Sequence, residues 1–158
     1  MSVSTCAVLG NSGSLLHLPP QDQWPEDIYV IGTNRILREG MDGRRYSPHM
    51  LVISDGRVLE TEREALLAYG GRLLIADWLG TDIPCERFHA VPSRKRHRRE
   101  PIPHFHANQW HDPVWSINSV PFQAAQLALR LLRPGGRVVL LVCERVWLPR
   151  EDPRSSHH

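Results

Sequence analysis

The chain has 158 residues, of which 41% are hydrophobic and 23% are charged, and its formal net charge is +2. These values are ordinary for a globular protein, and a charge this small does not by itself indicate a nucleic-acid partner. No apolar run approaches the ~18 residues that a membrane span needs, and no charged N-terminal segment precedes a long apolar stretch, so we expect neither a span nor a secretory signal.

The three cysteines are Cys6, Cys85 and Cys143, and their wide spacing fits no zinc-binding pattern. Cys6 and Cys143 lie in apolar, strand-like runs, which favours buried free thiols in a reducing compartment. We therefore predict a cytoplasmic protein.

The first predicted element is a buried strand, Cys6–Leu9, which ends in the small, polar turn Gly10–Ser14. Gly10 and Gly13 allow positive φ and a close approach of a ligand to the backbone. Backbone N–H groups in such a turn, followed by a helix start, form an anion site. An ordinary strand–turn–helix corner is the alternative, because short Gly-x-x-Gly turns are common.

Further apolar runs predict the remaining strands, and periodic apolar residues predict the helices. Thr33 is expected to cap a short helix that runs through Glu39. Ser119 is a candidate cap for a helix over Phe122–Leu132, which Pro134-Gly135-Gly136 ends. The predicted strands are Ile28–Ile31, Met50–Ile53, Leu73–Ala76, Val138–Cys143 and, more weakly, Phe88–Val91, and one further helix spans Arg57–Tyr69.

This alternation of strands and helices predicts a Rossmann-like α/β fold, with a mostly parallel sheet of about five to six strands and helices on both faces. Residues 1–148 are expected to form one domain, in which residues 92–115 are a long loop or lid. Residues 149–158 are expected to be a flexible tail. The sequence leaves the oligomeric state open.

In a parallel sheet of this kind ligands bind at the carboxyl ends of the strands. Polar residues follow nearly every predicted strand at that edge, namely Gly10–Ser14, Gly32–Asn34, Ser54-Asp55, Asp77 and Glu144. We therefore expect the functional residues of this chain to lie there.

Several of these strand exits together resemble one family. Gly10-Asn11-Ser12-Gly13-Ser14-Leu15 is similar to the Gly-Asn-Gly-Pro-Ser-Leu opening of bacterial sialyltransferases that use CMP-sialic acid and of proteins around archaeal 6-hydroxymethylpterin pyrophosphokinase. The second strand ends in Asn34-Arg35 and the third in Ser54-Asp55, as in that family. A polar turn, Ser116–Ser119, then leads to the last helix and strand. The chain departs from the family pattern at two places. It has Ser12-Gly13 where the family has Gly-Pro, and Cys143-Glu144 where the family has Gly-x-Asp.

The resemblance implies a nucleotide or nucleotide-sugar ligand. Asn11 and the backbone of Gly10, Ser12, Gly13 and Ser14 would then lie near a phosphate or sugar. Asn34 would contact the ribose or the donor sugar. Asn118 and Ser119 would lie beside the same ligand, at a helix N-terminus that favours phosphate.

Two aspartates at strand exits are candidates for chemistry. Asp55 and Asp77 are placed to hold a ribose hydroxyl, to bind Mg²⁺ or to act as a base. Asp55 also directly precedes a predicted helix, so a helix cap is an equal alternative. For Asp77 the alternative is a hydrogen-bond acceptor within a loop.

The predicted loop carries a histidine group, His104, His106 and His111. The family places a general-base histidine in a mobile region before its final helix and strand, so the resemblance implies this role for His106 or His111. A metal site and solvated loop histidines are the alternatives. No complete metal-ligand pattern accompanies these residues, so no metal is predicted there.

The same loop begins with a basic run, Arg94–Arg99, which is able to bind nucleic acid, a phosphate-rich acceptor or a triphosphate. A solvated basic loop is the alternative. Arg44 and Arg45 are placed either to close over phosphates or to be plain surface charges.

Together these features predict a small glycosyltransferase of sialyltransferase type that uses a nucleotide-activated donor. An ATP-dependent pyrophosphokinase-like enzyme is an alternative, and it requires Mg²⁺ on carboxylates such as Asp55. The second alternative is a non-catalytic module that binds nucleic acid or protein through Arg94–Arg99.

Overall fold

The structure is a computed structural model that describes residues 3–10, 13–40, 42–89 and 120–141. These residues build one six-stranded sheet whose paired strands all run parallel. The strands are β1 (Val3–Leu9), β2 (Ile28–Thr33), β3 (Met50–Ile53), β4 (Arg72–Ala76), β5 (Glu86–Phe88) and β6 (Leu132–Leu141). The predicted α/β fold with a parallel sheet is therefore confirmed.

The strands follow the order β5-β4-β3-β2-β1-β6 across the sheet. From β1 to β5 the chain steps in one direction, and it then crosses back to place β6 on the other side of β1. The strand order therefore reverses between β1 and β6, which is the topological switch point of the sheet.

The near-continuous apolar runs form strands because both faces of the sheet are buried. Alternate residues of a strand point to opposite faces, so each of the strands β1 to β4 contributes to two cores. One core contains Leu9, Val30, Leu51, Ile53, Leu73 and Ile75, and the other contains Cys6, Val8, Ile31, Met50, Val52 and Leu74.

Two short helices, α1 (Gly56–Thr61) and α2 (Arg63–Ala68), cover the first core. The predicted single helix over Arg57–Tyr69 is wrong, because Glu62 leaves helical geometry with φ −112° and ψ 13°. The carboxylate of Glu62 contacts the guanidinium groups of Arg35 and Arg38 and is largely buried. We infer that these ion pairs hold the bend between the two helices.

The predicted short helix from Thr33 through Glu39 is also wrong. Thr33 is the last residue of β2, and its hydroxyl donates to the Leu9 carbonyl rather than capping a helix. Asn34 then takes a positive φ of 48°, which is incompatible with a right-handed helix. A turn follows instead of a helix.

The second core is covered by helix α3 (Val120–Leu131), whose Ala124 and Ala128 are fully buried against the sheet. Small side chains at these positions let the helix approach the strands closely. The residues after α3 enter β6 at once, although the pairing with β1 shifts register between Leu132 and Arg137. Gly135, with φ 79°, makes the turn inside this irregular stretch.

Apart from Met50–Ile53, the predicted strands differ from the structure at their ends, most of all β6, which begins at Leu132 instead of Val138. Strand β5 spans Glu86–Phe88, so it begins two residues before the predicted start at Phe88, and Val91 lies outside the described residues. The described part of β6 ends at Leu141, so Cys143 also lies outside them.

Candidate functional site

The carboxyl edge of the sheet is stepped. Leu9 pairs with Gly32, so Gly10, the residue after β1, lies beside Thr33. The row of paired residues that contains Thr33 continues across the sheet through Val52 of β3, Leu74 of β4 and Glu86 of β5, and we use this row as a reference level. β1 and β2 stop at or before this level, whereas β4 and β5 extend two residues further, to Ala76 and Phe88. The ends of β1 and β2 therefore form the low part of the edge, and the ends of β4 and β5 form its high part.

The end of β1 is buried and fixed to β2. Gly10 is buried, and the buried Thr33 hydroxyl donates to the Leu9 carbonyl oxygen at 2.9 Å. Gly13 and Ser14 begin a five-residue 3₁₀ helix, Gly13–His17. Of the predicted turn, Asn11 and Ser12 lie outside the described residues.

Asn34 joins the end of β2 to β3. Its backbone N–H donates to the Val52 carbonyl at 3.0 Å, and its side-chain Oδ1 accepts from the Ser54 N–H at 3.3 Å. Asparagine is one of the few residues that enter the left-handed region readily, which suits the φ of 48° here. The contact with Ser54 orients the amide, so the Nδ2 group is the part of the side chain that remains to meet a ligand.

Asp55 caps helix α1. Its carboxylate accepts from the Arg57 N–H at 3.0 Å and contacts the Arg57 guanidinium at 3.3 Å. Burial alone would raise the pKa of Asp55, but hydrogen bonds from Arg57 and the charges of Arg57 and Arg35 hold this pKa below its usual value. Of the two interpretations that the sequence left open, the geometry shows the helix cap.

Asp77 and His89 form a second polar group, on the high part of the edge. Asp77 follows β4, His89 follows β5, and the His89 Nδ1 lies 2.8 Å from the Asp77 Oδ2. Sequence reasoning named Asp77 but missed His89. The sequence placed His89 inside the weakly predicted strand Phe88–Val91, whereas β5 ends at Phe88 and leaves His89 at the strand exit.

Basic residues surround the end of β2. Arg35 and Arg38 contact Glu62, and Arg57 contacts Asp55, so three cations face two carboxylates at this edge. The Arg35 Nε atom is buried and has no hydrogen-bond partner. This end of the site therefore carries a local excess of positive charge.

The sequence left two interpretations open for Arg44 and Arg45: they close over phosphates, or they are plain surface charges. In the structure both make local contacts. Arg44 pairs with Asp42 and also donates to the Leu18 carbonyl. Arg45 pairs with Glu39.

Helix α3 connects β5 to the parallel strand β6, so it runs opposite to the strands and begins at the carboxyl edge. The candidates Asn118 and Ser119 immediately precede it in sequence, but they lie outside the described residues. His106, His111 and the basic run Arg94–Arg99 lie outside them too.

The described residues contain no group of three or more His, Cys, Asp or Glu side chains arranged to hold a metal ion. Asp55 is engaged by Arg57, and Asp77 is engaged by His89. Mg²⁺ binding by these two carboxylates stays a prediction.

Of the helices in the described part of the chain, none combines the length and the apolar character that crossing a membrane requires. Comparison of the chain with family models, with curated proteins and with solved structures finds no match.

Proposed function

We propose that this protein binds a nucleotide or a nucleotide sugar at the carboxyl edge of its sheet, beside the ends of β1 and β2. The observation that carries the proposal is the position of Gly10, buried where β1 ends and next to the point at which the strand order reverses. Open α/β sheets bind ligands in the crevice at such a point.

The polar groups around this point suit a phosphorylated ligand. A turn that leaves β1 at a glycine lets backbone N–H groups approach a phosphate closely. Asn34 offers its Nδ2 group to a hydroxyl of a ribose or sugar, since its Oδ1 already accepts from Ser54. The excess of arginine over carboxylate near the end of β2 favours an anion.

The resemblance to sialyltransferases extends this proposal to catalysis. The reaction is the transfer of a sugar from a CMP-activated donor to the hydroxyl group of an acceptor. Asn11, Asn34 and Ser119 position the donor, and His106 or His111 takes the proton of the acceptor hydroxyl. Arginine side chains stabilise the departing phosphate.

A thermal-shift series tests the binding proposal. CMP, CDP, UDP, GDP and ATP are each added with and without Mg²⁺, and the melting temperature Tm is measured. A nucleotide at 100 times its Kd stabilises the folded state by about 2.7 kcal/mol. We expect one nucleotide to raise Tm by several degrees.

The variant Asn34→Asp separates ligand binding from folding. The new carboxylate still accepts from the Ser54 N–H, so the Tm of the unliganded protein stays close to that of the wild type. It loses the amide donor and repels a phosphate, so the nucleotide-dependent shift is lost. Gln23→Glu adds the same charge at an exposed position before β2, at the opposite edge of the sheet, and keeps the shift.

Two results would overturn the proposal: no nucleotide raises Tm, or Asn34→Asp leaves the shift unchanged. If binding of DNA or RNA is then salt-sensitive and disappears when Arg94–Arg99 are neutralised, the chain is a nucleic-acid-binding module instead.

A further inference from the structure

We propose that two copies of this chain pair through β6, so that their sheets join into one. Strand β6 forms one end of the sheet, and among the described residues no strand pairs with its outer side. Its residues 138–141 read Val-Val-Leu-Leu, and the side chains of Val139 and Leu140 are 46% and 48% exposed. This uncovered apolar strand is the observation that carries the proposal.

The exposure of Val139 and Leu140 reflects the position of β6 at the end of the sheet. Their pairing partners in β1 are Ala7 and Val8, which have a strand on both sides and are buried. Successive residues of a strand point to opposite faces, so β6 leaves one apolar side chain uncovered on each face. An edge strand also presents a row of backbone N–H and C=O groups to its outer side, where another strand can pair with them.

The two end strands of the sheet are protected differently. β5 spans only three residues, and Glu86 and Arg87 are both exposed there. Shortness and charged side chains are the usual means by which a protein keeps an edge strand from pairing with another chain. β6 spans ten residues, and residues 138–141 contain neither a charge nor a proline. The sheet is therefore protected against pairing at β5 and available for pairing at β6.

The sequence after β6 does not favour a return of the same chain along this edge. A strand that folds back needs a tight turn, for which Asn-Gly, Asp-Gly and Gly-Gly are the favoured residues. Residues 142–151 contain no glycine, asparagine or aspartate, and Pro149 and Pro153 lack the N–H group that pairing requires. Residues 90–119 follow β5, at the opposite end of the sheet. A second copy is therefore the occupant that we infer.

A second copy fits because antiparallel pairing of two identical strands is self-complementary. In that arrangement a two-fold axis relates the copies, and residues that face each other exchange their backbone hydrogen bonds. With the axis near Val139 and Leu140, these side chains pack against apolar residues of the other strand. The two copies of Arg137 then lie apart, because the start of one strand lies beside the end of the other.

Helix α3 enlarges this surface. It packs against β1 and β6 and carries Leu129, which is 65% exposed. β6 runs beside the seven residues of β1, so the edge is about 23 Å long, and one sheet layer with one helix layer is about 20 Å thick. Two such surfaces bury roughly 900 Å², which is in the range of weak, reversible associations below about 1,200 Å². We therefore expect a dimer that dissociates on dilution.

Sedimentation equilibrium of the full-length chain tests the pairing. We expect the mean mass to rise from that of one chain, 18.1 kDa, toward twice this value as the concentration increases from micromolar to submillimolar. A mass that stays at 18.1 kDa throughout overturns the inference. The carboxyl edges of the paired sheets point to opposite ends, so the copies share no nucleotide site and the pairing does not depend on nucleotide binding.

Leu140→Lys places a charge at the pairing edge while leaving one copy able to fold. Leu140 is half exposed, so the lysine stem lies on the surface and its ammonium group reaches water. We expect this variant to stay monomeric at every concentration, with a Tm in dilute solution close to that of the dilute wild type. Leu67→Lys is the matched control, because Leu67 is 54% exposed on α2 and its replacement leaves pairing unchanged. A dimer that persists in Leu140→Lys overturns the inference. If Leu140→Lys does not fold, Val139→Lys makes the same test from the opposite face of the strand.

Amide hydrogen exchange in the wild type locates the interface without any substitution. The outward N–H groups of residues 138–141 become protected when a second strand pairs with them. We expect this protection to increase with protein concentration and the protection of β5 to stay constant. Equal protection at every concentration would show that a segment of the same chain covers β6, and no protection would show that the edge stays free. Either result overturns the inference.

Discussion

Among single residues, Thr33 determines how the end of β1 is held at the proposed site. Its hydroxyl and the Leu9 carbonyl that it contacts at 2.9 Å are both buried. Replacement of Thr33 by valine keeps the shape of the side chain but leaves that carbonyl without this donor. We expect a loss of about 1–3 kcal/mol in the free energy of unfolding, measured by urea denaturation.

Thr61→Val is the matched control, because Thr61 is exposed and its hydroxyl contacts the Arg57 carbonyl within helix α1. A surface change of this kind stays within about 0.5 kcal/mol. If both variants lose the same free energy of unfolding, burial of the Thr33 hydrogen bond does not increase its contribution to stability.

Contacts between single residues differ in how far the sequence predicts them. The Asp55 cap is local, so its position just before a helical pattern was enough to suggest it. Asn34 was placed at the edge because it follows a predicted strand, but its positive φ and its contact with Ser54 depend on a neighbouring strand. The contact of Asp77 with His89 joins two strands that are adjacent only in the folded sheet, so no local pattern indicates it.

Among the elements, helix α1 depends on a charge at its first turn. The folded-state pKa of Asp55 is lowered, so its ionised form stabilises the protein at pH values above the unfolded-state pKa. That contribution is lost as the pH falls through the folded-state pKa. Asp55→Asn keeps a good cap but removes the charge.

We expect Asp55→Asn to be less stable than the wild type at neutral pH by about 0.3–1 kcal/mol, the typical size of a charge interaction at a helix end. The difference should shrink as the pH falls below the usual aspartate pKa and disappear only below the folded-state pKa of Asp55, where the wild-type carboxylate is protonated. Tm measured against pH for both proteins checks this. Asp22→Asn, at an exposed aspartate, controls for the loss of one negative charge, and a pH-independent difference between Asp55→Asn and wild type would contradict the expectation.

The strands were predicted more reliably than the helices because burial on both faces leaves a long apolar run that is easy to recognise. Met50–Ile53 has the predicted bounds, and the other strands differ at their ends. The helical pattern over Arg57–Tyr69 did not reveal the bend at Glu62. Glu62 at that bend contacts Arg35 and Arg38, which lie in the turn after β2 and are distant from it in sequence.

For the whole molecule, the sheet order determines which strands are protected. β1, β2 and β3 lie inside the sheet and bury residues in both cores, whereas β5 lies at one edge and keeps Glu86 and Arg87 exposed. Opening of the edge strand exposes few apolar side chains, so it costs less free energy than opening of the central strands.

Amide hydrogen exchange should therefore be slowest in β2 and β3 and fastest, among the strands, in β5. Exchange rates measured by NMR at low concentrations of denaturant distinguish global unfolding from local opening of a single strand. The β2 and β3 amides should exchange only through global unfolding, and the free energy of global unfolding falls steeply as the denaturant concentration rises. The β5 amides should exchange through local openings, whose free energy depends only weakly on the denaturant concentration. Thr33→Val should accelerate exchange in β2 by the same free energy that it removes from global stability, and leave β5 unchanged. If β5 is protected as strongly as β3, the sheet unfolds as one cooperative unit and its edge is no weaker than its centre.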